Sequence, residues 1–260
     1  MRNNKKMNKK SQTARSGKKF WLLKLFMFLL LLSGAFFGAR YVVRFASHTL
    51  FPVKEIFFSG NKHLTDSELK AIMGLNGNEG LIEISGKELS ARLLKSPWVR
   101  SASFRKDFPN RLSSKVEEAV PFALLEMKGR TFFVDDKGNL LEEIKSDSVP
   151  FLPVISGDPY KNNTCFSEAL NLVRAMKGRG FINLKDRVEI IIPPGSSGPE
   201  EMSMQIDGTL VKVGYGEYEE KLERLLELEG EIRKRGIPVD YIDLRFANRV
   251  IVKPINEVVK

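Results

Sequence analysis

Thr65-Asp-Ser-Glu-Leu-Lys-Ala-Ile-Met-Gly74 and Ser85-Gly-Lys-Glu-Leu-Ser-Ala-Arg-Leu-Leu-Lys-Ser-Pro97 read as two short helices carrying their own start and stop signals. Each opens on a hydroxyl residue with a glutamate three places on, so that hydroxyl and carboxylate take up each other's free backbone amides. Leu69, Ile72 and Met73 share one face of the first helix, and Leu89, Leu93 and Leu94 one face of the second. Gly74 and Ser96-Pro97 stop them. Upstream, Val53–Ser59 is β-branched and aromatic and closes on Gly60-Asn61; downstream, Val99–Phe108 and Leu112–Glu118 flank Pro109-Asn110. The order β-α-α-β-β predicts one small layered domain over residues 51–121, two helices on a three-stranded sheet.

Before this domain lies Phe20-Trp-Leu-Leu-Lys-Leu-Phe-Met-Phe-Leu-Leu-Leu-Leu-Ser-Gly-Ala-Phe-Phe-Gly-Ala39, whose one charge is Lys24 near its start. Helical residues at about 1.5 Å each carry this stretch across a hydrocarbon core roughly 30 Å thick. Trp21 and Tyr41 suit the two interfaces, and Arg40 and Arg44 mark the exit, giving a transmembrane segment and exit over residues 20–45. Residues 1–19 hold eight basic side chains and no acid, so the positive-inside rule puts the N-terminus in the cytoplasm and the folded domains across the membrane. The small residues Ser33-Gly34-Ala35 leave a cleaved signal peptide as the alternative, against which the apolar run continues through Phe36 and Phe37.

The formal charge of +10 is concentrated in that tail: beyond residue 24 only 33 of the 42 basic residues remain, against 32 acidic ones. The folded part is nearly neutral, which argues against nucleic acid as a partner. The tail reads as a topology signal attracted to anionic lipid by about 1 kcal/mol per basic residue. One cysteine, Cys165, and two histidines, His48 and His63, exclude an internal disulfide framework, a cysteine zinc cage and a histidine-rich metal site.

After Pro121 the pattern changes to short strands with two helices, a mixed β-sheet domain over residues 122–260. Thr131–Val134 and Asn139–Glu143 flank the turn Asp135-Asp136-Lys137-Gly138, Leu152–Gly157 gives a short strand, and Val188–Ile192 another. Ser167 is placed to cap a helix carrying Leu170, Val173 and Met176. Met202–Ile206 turns through Asp207-Gly208 into Thr209–Val213. Glu217–Arg235 is a long helix with Leu222, Leu225, Leu226 and Ile232 inward and a solvated outer face. Val239–Phe246 and Arg249–Lys253 form a closing hairpin, whose Val250-Ile-Val252 offers a free strand edge for a partner strand to complete.

Phe57-Phe58-Ser59-Gly60-Asn61, then Ser96-Pro97-Trp98-Val99, Ala102, Phe104-Arg105-Lys106, Phe108-Pro109, Leu112, Glu118, Pro121 and Ala123 resemble the POTRA domain of the FtsQ/DivIB family, bitopic bacterial cell-division proteins. Lys106, where that family usually has arginine, and Ser114, at a normally apolar strand position, depart from the pattern. The second half also resembles the family's β domain: Leu152-Pro-Val-Ile-Ser-Gly157, the Asp207-Gly208 hairpin running to Val213-Gly214, and Tyr241-Ile-Asp-Leu-Arg-Phe246 followed by Asn248-Arg249-Val250. The resemblance spans about residues 20–253.

The resemblance implies a non-enzymatic scaffold of the divisome in the inner membrane, enriched at the septum. Its direct partners would be FtsB and FtsL, with the septal wall synthases FtsW and FtsI downstream, and it implies no cofactor and no small-molecule substrate. It maps partner binding to Arg245, Phe246, Asn248, Val250 and Val252. Arg245 would pair a partner carboxylate and Phe246 fill a pocket, while the competing reading joins Arg245 to Asp243 or Asp240 in a structural network. In the POTRA domain, Pro97, Trp98 and Val99 are candidate contact points, although Trp98 reads first as a core aromatic pinning the second helix to the sheet. Arg105 and Lys106 read as a solvated strand face.

The catalytic constellations that would oppose this reading are incomplete. Ser-x-x-Lys recurs, at Ser16–Lys19, Ser59–Lys62 and Ser67–Lys70, without the Ser-Asp-Asn and Lys-Thr-Gly companions that a penicillin-binding site requires. Gly214-Tyr-Gly216 lacks the residues of a phosphate cradle, and Asp135-Asp136 beside Lys137-Gly138 is a turn before it is a carboxylate pair. Two other classes stay open on sequence alone. One is a POTRA-bearing transport component, for which the remaining chain is too short to add a barrel; the other is a one-pass sensor or ligand-binding ectodomain.

Overall fold

The computed structural model describes residues 13–75, 77, 79–145, 150–185, 187–195, 197–236, 238–247 and 249–255. Residues 1–12 of the basic tail, and Asn248 among the candidate binding residues, lie outside them. The first element, α1 (Thr13–Leu50), is a single unbroken helix. Its stretch Trp21–Leu50 is long and apolar enough to cross a membrane, and no residue of its most apolar window is buried within the chain. The described residues divide into two compact units, those up to Leu93 with 101–116, and 94–100 with those from Glu117 onward.

In the first unit, β1 (Glu55–Ser59), α2 (Asp66–Met73), α3 (Gly86–Leu93), β2 (Val99–Asp107) and β3 (Arg111–Glu118) follow in the predicted β-α-α-β-β order. The sheet order is β1-β3-β2, with β1 parallel to β3 in the register Phe58 opposite Ser114. Thr65 caps α2 as its sequence dictates: its Oγ1 accepts the N–H of Glu68 at 3.3 Å, while Glu68 accepts the N–H of Thr65 at 2.8 Å. At the start of α3 the Ser85 hydroxyl accepts the N–H of Glu88 at 3.3 Å. Leu69, Met73, Leu81, Leu89, Leu93, Leu112 and Phe58 are buried together, the apolar stripe of each helix turned onto one face of the sheet. Ser114 is buried on that same apolar side, its Oγ without a hydrogen-bond partner among the described residues.

The second unit is one mixed nine-stranded sheet in the order β12-β11-β10-β9-β8-β7-β4-β5-β6. Its strands are β4 (Ala123–Met127), β5 (Arg130–Val134), β6 (Leu140–Glu143), β7 (Val154–Ser156), β8 (Val188–Ile191), β9 (Ser203–Ile206), β10 (Thr209–Lys212), β11 (Val239–Asp243) and β12 (Ile251–Pro254). Two helices, α4 (Asn163–Gly178) and α5 (Tyr218–Arg235), pack against each other and contribute to the same core. Register organises that core. Successive pairings align Phe132, Leu125, Ile155, Ile190, Met204, Val211, Ile242 and Val252 in a transverse row on one face. The six inner members are buried, and the two ends, Phe132 and Val252, are half-buried. Alternation puts the neighbouring row, Glu126, Ser156, Ile191, Ser203, Lys212, Asp243 and Ile251, on the opposite face.

Four readings need correction. The strand β4 is absent from the sequence pattern, because Ala123-Leu-Leu-Glu-Met127 has no period-two alternation and ends in a Lys128-Gly129 turn outside the usual Asn-Gly or Asp-Gly chemistry. Ser167 does not cap α4; the helix begins a turn earlier, where the Asn162 side chain accepts the N–H of Cys165 at 3.2 Å. The outer face of α5 is not merely solvated: Glu219 and Glu223 both meet Arg179 of the α4 C-terminus at 3.6 Å, and Lys221 is buried with its ammonium on the Tyr215 carbonyl at 2.8 Å. The closing strands are shorter than Val239–Phe246 and Arg249–Lys253, for a reason that belongs to the site.

The row makes a quantitative expectation. Ile190→Ala removes a fully enclosed side chain and should cost about 3 kcal/mol, whereas Val252→Ala at the open end should cost about 1 kcal/mol. Equilibrium denaturation of the detergent-solubilised chain measures both; equal losses would mean that the row does not end at β12.

Candidate functional site: the β12 edge

β11 is ended by one of its own side chains. Asp243 is buried, and its Oδ1 accepts the backbone N–H of Arg245 at 3.1 Å and the Nε of the same residue at 2.9 Å. Its Oδ2 accepts Arg245 Nη2 at 2.6 Å, so the guanidinium fork holds both carboxylate oxygens. An aspartate bonding its own backbone two residues on is a turn former, and here it bends the chain out of the sheet after Leu244, whose N–H still reaches the Lys212 carbonyl at 2.8 Å. The Arg245 fork holds the Asp243 carboxyl below the usual carboxylate range; burial opposes this, and the Arg245 backbone amide and Lys212 add to it. Gly214 gives the arginine its place, since a Cβ there would lie 2.9 Å from Arg245 Cγ.

The loop beyond is held from α5. Arg224 donates through Nη1 to the carbonyls of Phe246, at 3.2 Å, and of Ala247. Its Nη2 is buried with no hydrogen-bond partner among the described residues. The Phe246 ring is half-buried beneath the Arg249 guanidinium, 4.6 Å from its centroid. The chain then returns as β12, antiparallel to β11, with Val252 opposite Ile242 and Ile251 opposite Asp243. β12 has β11 on one side and no strand on the other among the described residues.

The two faces of this edge differ. Val252 ends the core row, and Val250 is packed against the same core. On the opposite face stands Ile251, 38% exposed, beside Tyr241, whose ring has the ammonium groups of Lys212 and Lys253 at 4.4 and 5.3 Å from its centroid. Lys253 also pairs with Asp240 at 2.8 Å. Such an arrangement offers a row of main-chain groups with an apolar and a cationic side chain beside it. It suits recognition of an extended segment. Among the described residues no group of three histidine, cysteine or acidic side chains comes together as a metal-ligand set.

The structure therefore brings Arg245, Phe246, Val250 and Val252 into one corner but assigns them different surroundings. Arg245 is engaged by Asp243, while Val250 and Val252 turn toward the core. The exposed apolar side chain is Ile251, which sequence reasoning passed over because Val250-Ile-Val252 does not reveal which members face inward. Arg224 was missed because nothing in a helix pattern signals a side chain aimed at carbonyls 22 residues ahead. In the other candidate cluster Trp98 is the core aromatic that its first reading made it. Trp98 and Val99 are buried, Trp98 edge-on to Phe133 at 6.1 Å with its indole N–H on Glu142 at 3.2 Å, so of that trio only Pro97 is exposed.

Comparison with known proteins gives two family matches: the FtsQ-type POTRA domain over residues 51–119 and the FtsQ/DivIB C-terminal domain over residues 123–245. The chain belongs to the FtsQ/DivIB family of cell-division proteins. It is 31% identical to the cell division protein FtsQ of Geobacter sp., over 86% of this chain and 84% of that one. It is 27% identical to FtsQ of Geotalea daltonii, over 81% and 78% of the two chains, and 28% identical to that of Syntrophotalea carbinolica, over 78% and 74%. As a member of the FtsQ/DivIB family with one N-terminal apolar helix, it is a single-pass membrane protein of cell division. The matched C-terminal stretch closes at Arg245, so the latched loop and β12 lie beyond it.

The Asp243–Arg245 fork predicts a pH dependence with a definite sign. Because the folded state lowers the Asp243 carboxyl, its stabilisation is complete above the ordinary carboxylate range near pH ~4 and is lost as pH falls through the folded value. Asp243→Asn should therefore cost about 2 kcal/mol at neutral pH and progressively less in acid. Urea unfolding at a series of pH values checks this, and a gap that stayed constant into acid would refute it.

Proposed function

We propose that this chain is a non-enzymatic scaffold of the divisome that holds an extended segment of a partner along the free edge of β12. FtsB and FtsL are the direct partners in this reading, and FtsW and FtsI act downstream in septal wall synthesis. The observation that carries it is the β12 edge: an end strand fixed in register by Val252, with Ile251 left to solvent and the turn before it held by Arg245 and Arg224. A partner strand added there gains main-chain hydrogen bonds for affinity and alternating side-chain contacts for register. Phe246 and Arg249 flank the point where such a strand would enter, and Asn248, the remaining candidate contact, lies outside the described residues.

The organisation that goes with this role is a cytoplasmic tail over residues 1–19, a membrane crossing and exit over 20–45, a POTRA domain over 51–121 and a β domain over 122–260. The tail's eight basic residues support an N-terminus in the cytoplasm and both domains outside it. Enrichment at the septum follows if the partners are themselves septal.

A pull-down of the solubilised full chain with the extracytoplasmic segments of FtsB and FtsL tests the proposal, with Phe246→Ala and Ile251→Glu beside wild type. Ile251 is exposed, so its replacement leaves the core intact, and circular dichroism verifies folding of both variants. Each should weaken binding by about tenfold, a loss of about 1.4 kcal/mol. Unchanged binding by folded Ile251→Glu would remove β12 from the interface.

A further inference from the structure

The extracytoplasmic end of α1 is seated in the first unit. Ser47 is fully buried, and its Oγ accepts the N–H of Ile82 at 3.2 Å. The residues that follow continue the joint: Phe51 donates to the Ser47 carbonyl at 3.1 Å and accepts from Leu81 at 2.7 Å, Pro52 bridges Gly80, and Val53 donates to the Glu79 carbonyl at 3.0 Å. The Phe51 ring meets Phe108 edge-on at 5.4 Å. Gly80 is required here for contact and not for backbone freedom. A Cβ on it would lie 2.0 Å from Ser47 Oγ and 2.7 Å from the Ser47 carbonyl carbon.

Glu83 closes the joint from the side, 3.3 Å from His48 Nε2 and 4.0 Å from Arg44 Nε. These exposed pairs contribute little by themselves; the steric seat of Ser47 on Gly80 and its hydrogen bonds do the holding. From Thr13 to Leu50 the helix is unbroken, so no flexible linker separates the membrane crossing from the seat. An α-helix transmits rotation and tilt along its length because each turn is hydrogen-bonded to the next.

We propose that α1 and the first unit form one rigid body, so that rotating or tilting the membrane helix reorients the first unit. A partner that packs against the helix inside the bilayer would thereby set the direction in which the unit's surface is presented outside.

Pulsed electron paramagnetic resonance on the full chain in lipid nanodiscs tests this, with Cys165→Ala as background. One label pair, at Val42→Cys and Lys70→Cys, spans the joint; a second, at Lys70→Cys and Lys115→Cys, lies within the first unit and reports its integrity. Wild type should give a single narrow distance for both pairs. Gly80→Val should lose the narrow distance across the joint and keep the internal one. Ser47→Leu, which sits on the helix and leaves the unit's own chain untouched, should do the same. A broad joint distance in wild type would overturn the proposal, and so would a joint that stays narrow in Ser47→Leu. If Gly80→Val also broadens the internal pair, Ser47→Leu alone decides.

Discussion

The buried carboxylate of Asp243, gripped at both oxygens by Arg245, is the interaction on which the closing strands of the sheet depend. Taking an aspartate out of water is unfavourable unless its charge is paired and its lone pairs are filled. Here the fork and a backbone amide fill them, and the same three bonds turn the chain out of β11. The turn determines where β12 begins, and Val252 opposite Ile242 determines which of its faces looks inward. Arg245, which the sequence offered to a partner carboxylate, is therefore engaged by the aspartate of its own strand.

The long core row explains why that edge is ordered although it is terminal. Strands β4, β7, β8, β9, β10 and β11 each contribute one buried side chain to the row, and β12 contributes a half-buried member at its end. Edge strands usually carry protection against unwanted pairing. Lys253 and Pro254 lie on β12 and provide some, since a charge and a missing N–H both discourage indiscriminate extension. The exposed apolar contact is confined to Ile251 and its surroundings, which favours a specific segment over general aggregation.

Much of this was legible in the sequence where local chemistry determines local structure. The Thr65–Glu68 capping box, the inward Leu69 and Met73 of α2 and Leu89 and Leu93 of α3, and the Asp207-Gly208 hairpin are all written in residues close together in the chain, whereas Leu94, read with the α3 face, lies past the helix end and is exposed. The same holds for the membrane-crossing helix and the order of the first unit's elements. Illegible were features decided by distant partners. β4 breaks period-two alternation because the adjacent Leu124 and Leu125, on opposite faces, are both buried. The inward choice of Val252 over Ile251 depends on pairing with Ile242 across a loop. Arg224 reaches its carbonyls only when α5 lies against the sheet. The candidate loop and strand could be named from sequence, and which side chain of each faces inward required the register.

The proposed function rests on a single physical claim, that a partner would complete the sheet at the β12 edge, which has no strand on its outer side among the described residues. Hydrogen–deuterium exchange of the full chain with and without the extracytoplasmic FtsB segment tests it most directly, because added strand hydrogen bonds must slow exchange where they form. The account predicts slowed exchange in residues 250–255, with the far edge strand β6 unchanged. Saturated binding that left the β12 amides exchanging at their free rate would contradict it.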